Sequence, residues 1–166
     1  GAYAKLAPYN GFKVTYALVY DDEKQKKYNS TSTVDFNSTT FLKEISRART
    51  YGFVSDIDYM KKNKLALGGS EKNAVVIGED EILNEEGLRS SEELVKHKIL
   101  DCIGDFYMSG LPLLGSIYAT QPGHELNGKL LKKIFQDKDN YKILEFNSYY
   151  MPIPHQENII NNINVA

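Results

Sequence analysis

The chain has 166 residues, 42% of them hydrophobic and 25% charged, with a formal net charge of -2 and a pI near 6.0. That length suits one domain with a buried core, the composition argues against wholesale disorder, and so small a net charge offers no field to hold a phosphate backbone. The single cysteine, Cys102, cannot close an internal disulfide, no run approaches the ~18 apolar residues of a membrane span, and no apolar signal segment opens the chain, so a reducing, cytoplasmic setting is expected.

Residues 12–20 alternate, with Phe12, Val14, Tyr16, Leu18 and Tyr20 against Lys13, Thr15 and Ala17, and this period of two predicts a strand. The charged run 21–27 reads as a solvated connection to a second strand at 31–36. Asn37 or Ser38 is placed to cap a helix whose apolar positions Phe41, Leu42, Ile45 and Ala48 keep helical spacing. Residues 54–63 read as a short helix, Gly68-Gly69 as a turn and 73–77 as a buried strand, together a β-α-β insertion over 54–78. Ser90 with Glu93 three positions on reads as a capping box that opens the most regular helix in the chain, 91–108, which stops before Gly110 and Pro112. A strand at 116–121, an amphipathic helix at 125–135 and a last strand at 142–150 follow, and the Asn-rich segment 152–166 is expected to be a loose tail. These elements predict an α+β fold, a two-layer sandwich of a mainly antiparallel sheet and two long helices, forming one domain over 1–151.

The helix 91–108 carries the chemistry. Val95, Ile99, Cys102, Ile103 and Phe106 form its apolar stripe, while His97, Asp101 and Asp105 follow one another at intervals of four on another side. An imidazole and a carboxylate one turn apart suit zinc, or less selectively iron or manganese. The same spacing also describes a solvent-facing ion pair. Leu94, Leu100, Gly104 and Met108 around the stripe are not the Lys and Glu of a fully solvated face, which favours a side covered by something apolar. Pro122-Gly123-His124 falls between a strand and a helix, where an imidazole serves either as a cap or as a poised proton donor. His155, in the tail, reads as a solvated loop histidine. A catalytic zinc site needs three protein ligands and an open position, and here only two residues present themselves.

Five stretches then resemble one family as a set: Ile45-Ser46-Arg47-Ala48-Arg49-Thr50-Tyr51-Gly52-Phe53, Leu65-Ala66-Leu67-Gly68-Gly69-Ser70, Leu83-Asn84-Glu85-Glu86-Gly87-Leu88-Arg89, His97-Lys98-Ile99-Leu100-Asp101-Cys102-Ile103-Gly104-Asp105 and Gly123-His124-Glu125-Leu126-Asn127. Their order and content are similar to the UDP-3-O-acyl-N-acetylglucosamine deacetylases, the zinc enzymes of lipid A (lipopolysaccharide) synthesis in Gram-negative bacteria. The family has two similar α+β domains with the active site between them, and this chain looks like the second, C-terminal one. The resemblance implies that His97 and Asp101 are zinc ligands and that Lys98 faces the polar head of the substrate. It makes His124 the general acid with Asp105 as its orienting carboxylate, and sets Thr50 beside the scissile amide. It assigns Tyr51, Phe53, Val54, Ile57, Gly69, Ser70 and Ala74 to the lining of an acyl-chain passage. It also implies that a third zinc ligand, a histidine, and a general-base glutamate come from the missing N-terminal domain, so that this chain alone is inactive and holds zinc weakly. Tyr51 stands where the family commonly has Phe, Glu71 where a bulky apolar residue is frequent, and Ser90 and Leu94 where aromatics are usual. The expected partners are the UDP-linked acylated glucosamine substrate, the N-terminal domain, and a protease that reads the tail ending Ile163-Asn164-Val165-Ala166. The competing expectation is a non-catalytic module that binds the nucleotide-sugar lipid or a partner protein without turnover.

Overall fold

The computed structural model describes residues 1–37, 39–65, 67–145 and 163–165. Strand β1 is Tyr3–Ala7 and β2 is Phe12–Leu18. In both, every second side chain turns to one face: Ala4 and Leu6 in β1, and Val14, Tyr16 and Leu18 in β2, are buried. Strand β3 (Ser30–Phe36) pairs antiparallel with β2 and adds Ser32 and Val34 to that face. The two edges of β2 are unlike, because on its other side lies β6 (Gly115–Thr120), running parallel to it. Strand β1 pairs antiparallel with β6, and β7 (Ile163–Val165) pairs antiparallel with β1, giving the order β3-β2-β6-β1-β7. The short link Tyr9-Asn10-Gly11 therefore has to pass over the end of β6, about two strand spacings. Gly11 makes that crossing at φ +149 and receives the N–H of Gly115 on its carbonyl at 2.8 Å.

Two long helices cover the buried face. Helix α2 (Glu93–Tyr107) sets Leu94, Val95, Ile99, Cys102 and Phe106 against β2 and β3. Helix α3 (His124–Gln136) sets Leu126, Leu130 and Ile134 against β1 and α2. The expected two-layer α+β sandwich with two long helices is present.

The insertion forms a second, two-stranded sheet. Strand β4 (Thr50–Phe53) lies parallel to β5 (Ala74–Ile77), and helix α1 (Ile57–Lys62) is part of the crossover between them. Asn84, buried, continues the edge of β5 with its side chain: Oδ1 accepts Val76 N–H at 2.8 Å, and Nδ2 donates to Ala74 and Glu71 carbonyls, each at 2.8 Å. The β-α-β unit is as expected from the sequence.

Several local expectations are corrected. Asn37 does receive the N–H groups of Thr39 and Thr40 on its Oδ1, at 3.0 and 3.1 Å, but the segment it caps is a single π-helical turn, Phe41–Ile45, and not a helix running to Ala48. Ser90 and Glu93 form no capping box, for no side chain caps α2. The Glu93 carboxylate is drawn inward to Arg49 instead. Arg49 Nε donates to Glu93 Oε1 at 2.9 Å, Arg49 Nη2 to Oε2 at 3.1 Å, and the backbone N–H groups of Arg49 and Arg89 reach the same carboxylate at 3.0 and 2.6 Å. Arg49 is 5% exposed and Glu93 1%, so this pair is a buried clamp between the start of β4 and the start of α2. Burial alone would raise the Glu93 carboxyl, but the Arg49 guanidinium and the two backbone N–H groups outweigh it and hold the group below the usual carboxylate range. Residues 141–145 form no strand; 146–150, the rest of the strand expected there, lie outside the described residues. Of the segment read as a loose tail, Ile163–Val165 is the strand β7, while 152–162 and 166 lie outside the described residues.

Candidate active site

The stripe on α2 is where the polar groups gather. His97 is half-buried, and its Nδ1 stands 3.3 Å from the Ala48 carbonyl. A carbonyl only accepts, so Nδ1 carries the proton and Nε2 keeps a lone pair. That Nε2 lies 3.4 Å from Asp101 Oδ1, one turn on. Burial moves the His97 imidazole below its ordinary pKa, against the opposite pull of Asp101, which favours the neutral ring. Lys98 Nζ lies 3.4 Å from Asp101 Oδ2 and 5.5 Å from the centre of the Tyr51 ring.

The neighbouring helix brings the second histidine. Gly123 is extended at φ -173, and α3 begins at His124. The ring of His124 is 69% exposed, with Nδ1 at 2.9 Å and 3.0 Å from the two oxygens of Asp105 and Nε2 at 3.8 Å from Asp101 Oδ2. Gly104, between the two aspartates, faces open space: a Cβ there would meet nothing within 4 Å. His97, Lys98, Asp101, Asp105 and His124 thus form one connected cluster on the facing sides of α2 and α3.

Within this cluster His97 Nε2 and the Asp101 carboxylate are two donors of the kind a divalent cation takes. A ring nitrogen with its lone pair free and its other nitrogen bound to a carbonyl, one turn from a carboxylate, is the arrangement of a metal-ligating pair. Among the described residues no group of three or more His, Cys, Asp or Glu side chains is arranged to hold a metal ion. His155 lies outside those residues.

The remaining predicted positions fall around the insertion. Thr50 is exposed at the start of β4, two residues after the Ala48 carbonyl that faces His97. Tyr51 and Phe53 in β4 are half-buried, Val54 just after the strand is exposed, and Ile57 opens α1. Ala74 is buried and opposite Thr50. Gly69 and Ser70 lie in the exposed turn before β5, where Ser70 N–H donates to Asn73 Oδ1 at 2.8 Å. The phenol that distinguishes Tyr51 has a partner, since the Tyr20 hydroxyl donates to it at 2.9 Å. Burial raises the pKa of both phenols. Tyr20, Tyr28 and Tyr51 each meet Phe53 edge-on, with ring centres 5.5, 6.2 and 6.4 Å apart.

Sequence reasoning missed Tyr20, the Arg49–Glu93 clamp, the Ala48 carbonyl and the buried Tyr16 and Asn127. Helical spacing offered a signal only for Asn127, which follows His124 by three residues in α3 and so shares its side of the helix.

Residues 1–136 match the family model of the UDP-3-O-acyl N-acetylglycosamine deacetylases. The chain is 48% identical over 143 residues to the UDP-3-O-acyl-N-acetylglucosamine deacetylase of Pseudomonas entomophila, covering 86% of this chain and 47% of that protein. It is 49% identical over 141 residues to the enzyme of the same name from Coxiella burnetii (strain CbuK_Q154), covering 85% and 46% respectively. The chain spans about half the length of the curated relatives it matches. It belongs to the UDP-3-O-acyl-N-acetylglucosamine deacetylase family.

Proposed function

We propose that this chain is the C-terminal half of a zinc-dependent amide hydrolase of lipid A synthesis, which removes acetate from UDP-3-O-(3-hydroxyacyl)-N-acetylglucosamine. The observation that carries the reading is the pairing of two imidazoles with two carboxylates in one cluster, His97 with Asp101 and His124 with Asp105. His97 Nε2 and the Asp101 carboxylate would hold the zinc. When bound, zinc supplies a Lewis acid for the amide carbonyl and brings its water toward a pKa of about 7. The chain's own residues supply the rest of the chemistry available here. Asp105 accepts Nδ1–H of His124, and the ring's second proton, on Nε2, is the one delivered to the departing glucosamine amine. The exposed Thr50 hydroxyl donates to the developing oxyanion. Lys98, beside Asp101 and Tyr51, meets the anionic head of the substrate.

The insertion takes the acyl chain in this reading. It carries apolar side chains turned to solvent, Val54, Tyr59, Leu65 and Leu67, next to the half-buried Tyr51 and Phe53. Such a surface suits a long hydrocarbon substituent. A third zinc ligand and the general base belong to the N-terminal domain. We assign the protein a cytoplasmic setting; among the described residues no helix is long and apolar enough to cross a membrane.

The test is calorimetric zinc affinity and deacetylase activity of this chain, alone and with the separately expressed N-terminal domain. Weak binding that becomes tight, with turnover, only on mixing is expected. Tight stoichiometric zinc and turnover by the chain alone would overturn the split-site reading. Zinc-independent binding of the nucleotide-sugar lipid, with no turnover in the mixture, would identify a non-catalytic module.

A further inference from the structure

The Asp105 carboxylate that meets His124 is itself held from behind. Asn127 Nδ2 donates to Asp105 Oδ2 at 2.8 Å, and the Tyr16 hydroxyl donates to Asn127 Oδ1 at 2.6 Å. A carboxylate only accepts, so the Asn127 amide has one orientation: Nδ2 toward Asp105, Oδ1 toward Tyr16. Asn127 is 1% exposed and Tyr16 is 0% exposed, in the middle of β2. The chain of bonds therefore begins in the sheet, crosses to α3, passes to α2, and returns to α3 at the exposed ring of His124.

The ring's close contact is at Nδ1, for Nε2 stands 3.8 Å from Asp101 Oδ2, beyond hydrogen-bond distance. His124 is largely exposed, and an imidazole held only at Nδ1 turns with whatever carboxylate holds it. Asp105 has two oxygens near Nδ1, and by taking one of them Asn127 sets the plane of the carboxylate.

We propose that Asn127, anchored by the Tyr16 hydroxyl, is a positioning residue for His124: it orients Asp105 so that Nδ1–H stays bound and the proton the ring gives up is the one on Nε2, directed toward Asp101, which leaves the ring as the Nδ1–H tautomer. The proposal rests on the reading of His124 as the proton donor. Asn127 touches no reacting atom; its effect on the reaction passes through Asp105. Burial raises the Tyr16 phenol far above its ordinary pKa, so the anchor remains a donor throughout the working range of pH.

The experiment compares Asn127→Leu, Tyr16→Phe and His124→Ala in the assembled, zinc-loaded deacetylase containing this chain. The readouts are kcat, KM, zinc content and the two-bond 1H–15N spectrum of His124 at fixed pH. Asn127→Leu is expected to lower kcat about 10- to 100-fold, with KM and zinc content unchanged and the His124 tautomer no longer single. Tyr16→Phe, which removes one oxygen and leaves Asn127 in place, is expected to lower kcat by a smaller factor in the same direction. Full kcat in both variants, with kcat lost in His124→Ala, would overturn the positioning role and leave His124 as the acid. Full kcat in His124→Ala would overturn the reading beneath it, and the proposal with it. If Asn127→Leu does not fold, Tyr16→Phe decides by the same criterion.

Discussion

Arg49→Met keeps most of the buried length of the side chain and removes the guanidinium. In the native chain that guanidinium gives Glu93 two charged hydrogen bonds, at 2.9 and 3.1 Å, and gives others to Glu86 Oε1 at 2.6 Å and the Gly87 carbonyl at 2.7 Å. Each of the bonds to the buried carboxylate is worth about 1.5–3 kcal/mol; the bond to Glu86, whose side chain is 55% exposed, adds at most about 1 kcal/mol. Breaking one side of a buried ion pair costs about 3–5 kcal/mol, because the remaining charge is left without its partner. We expect Arg49→Met to lose that amount. In urea unfolding of the 166-residue chain at pH 7, with a slope of about 2 kcal/mol per molar, the midpoint falls by about 1.5–2.5 M. The dependence on pH gives a second check. The Glu93 carboxyl is held below its unfolded value, so its contribution is complete above the unfolded pKa and is lost as pH falls through the folded one. In the variant the guanidinium is gone and burial dominates, so the gap between the two proteins should close as pH is lowered from 5 toward 3. A loss under about 1 kcal/mol, or a gap that stays constant with acid, would refute the account of Arg49 and Glu93 as a clamp.

Gly115→Ala places a Cβ 2.7 Å from Leu6 Cδ1; Leu6 is 1% exposed and cannot swing aside, so thermal unfolding should show a loss of about 1–3 kcal/mol. The Cys102 thiol is buried and its pKa is pushed up to about 12, so a thiol reagent at pH 8 should not react with the native chain and should react fully in denaturant. Tyr51→Phe removes only the hydroxyl that accepts from Tyr20 and should change stability by less than about 1 kcal/mol, measured by urea unfolding. Removing the Lys24–Glu79 pair, with side chains 63% and 80% exposed, should leave the urea midpoint unchanged.

The parts of the fold legible in the sequence are those set by local pattern. Strict alternation marked β2, and helical spacing marked α2 and α3 to within two residues at each end. The helix and second strand of the β-α-β insertion are equally plain, because a turn and an aliphatic run follow that helix, whereas its first strand, Thr50–Phe53, lies before the expected span 54–78. Strand β1 went unread: in Tyr3–Ala7 the inward positions are Ala4 and Leu6, too brief an alternation to stand out. The Ser90–Glu93 box misled because the residue that claims Glu93 is 44 positions away, and no local window contains it. The cluster at the site was legible along α2, where spacing alone lines up His97, Asp101 and Asp105. The support beneath it was not, since Tyr16 and Asn127 are 111 residues apart and meet only once the sheet has formed.

The passage of β6 between β1 and β2 has a consequence for how the chain folds. Strands β1 and β2 are adjacent in sequence yet share no ladder, and what joins them is a strand that ends at Thr120. During synthesis the β2–β3 hairpin can close early, while β1 waits for partners made more than a hundred residues later. Contacts so distant in sequence are paid for in chain entropy before they return any burial. The chain should therefore fold slowly, in a rate-limiting step at which β6 docks between two strands already present.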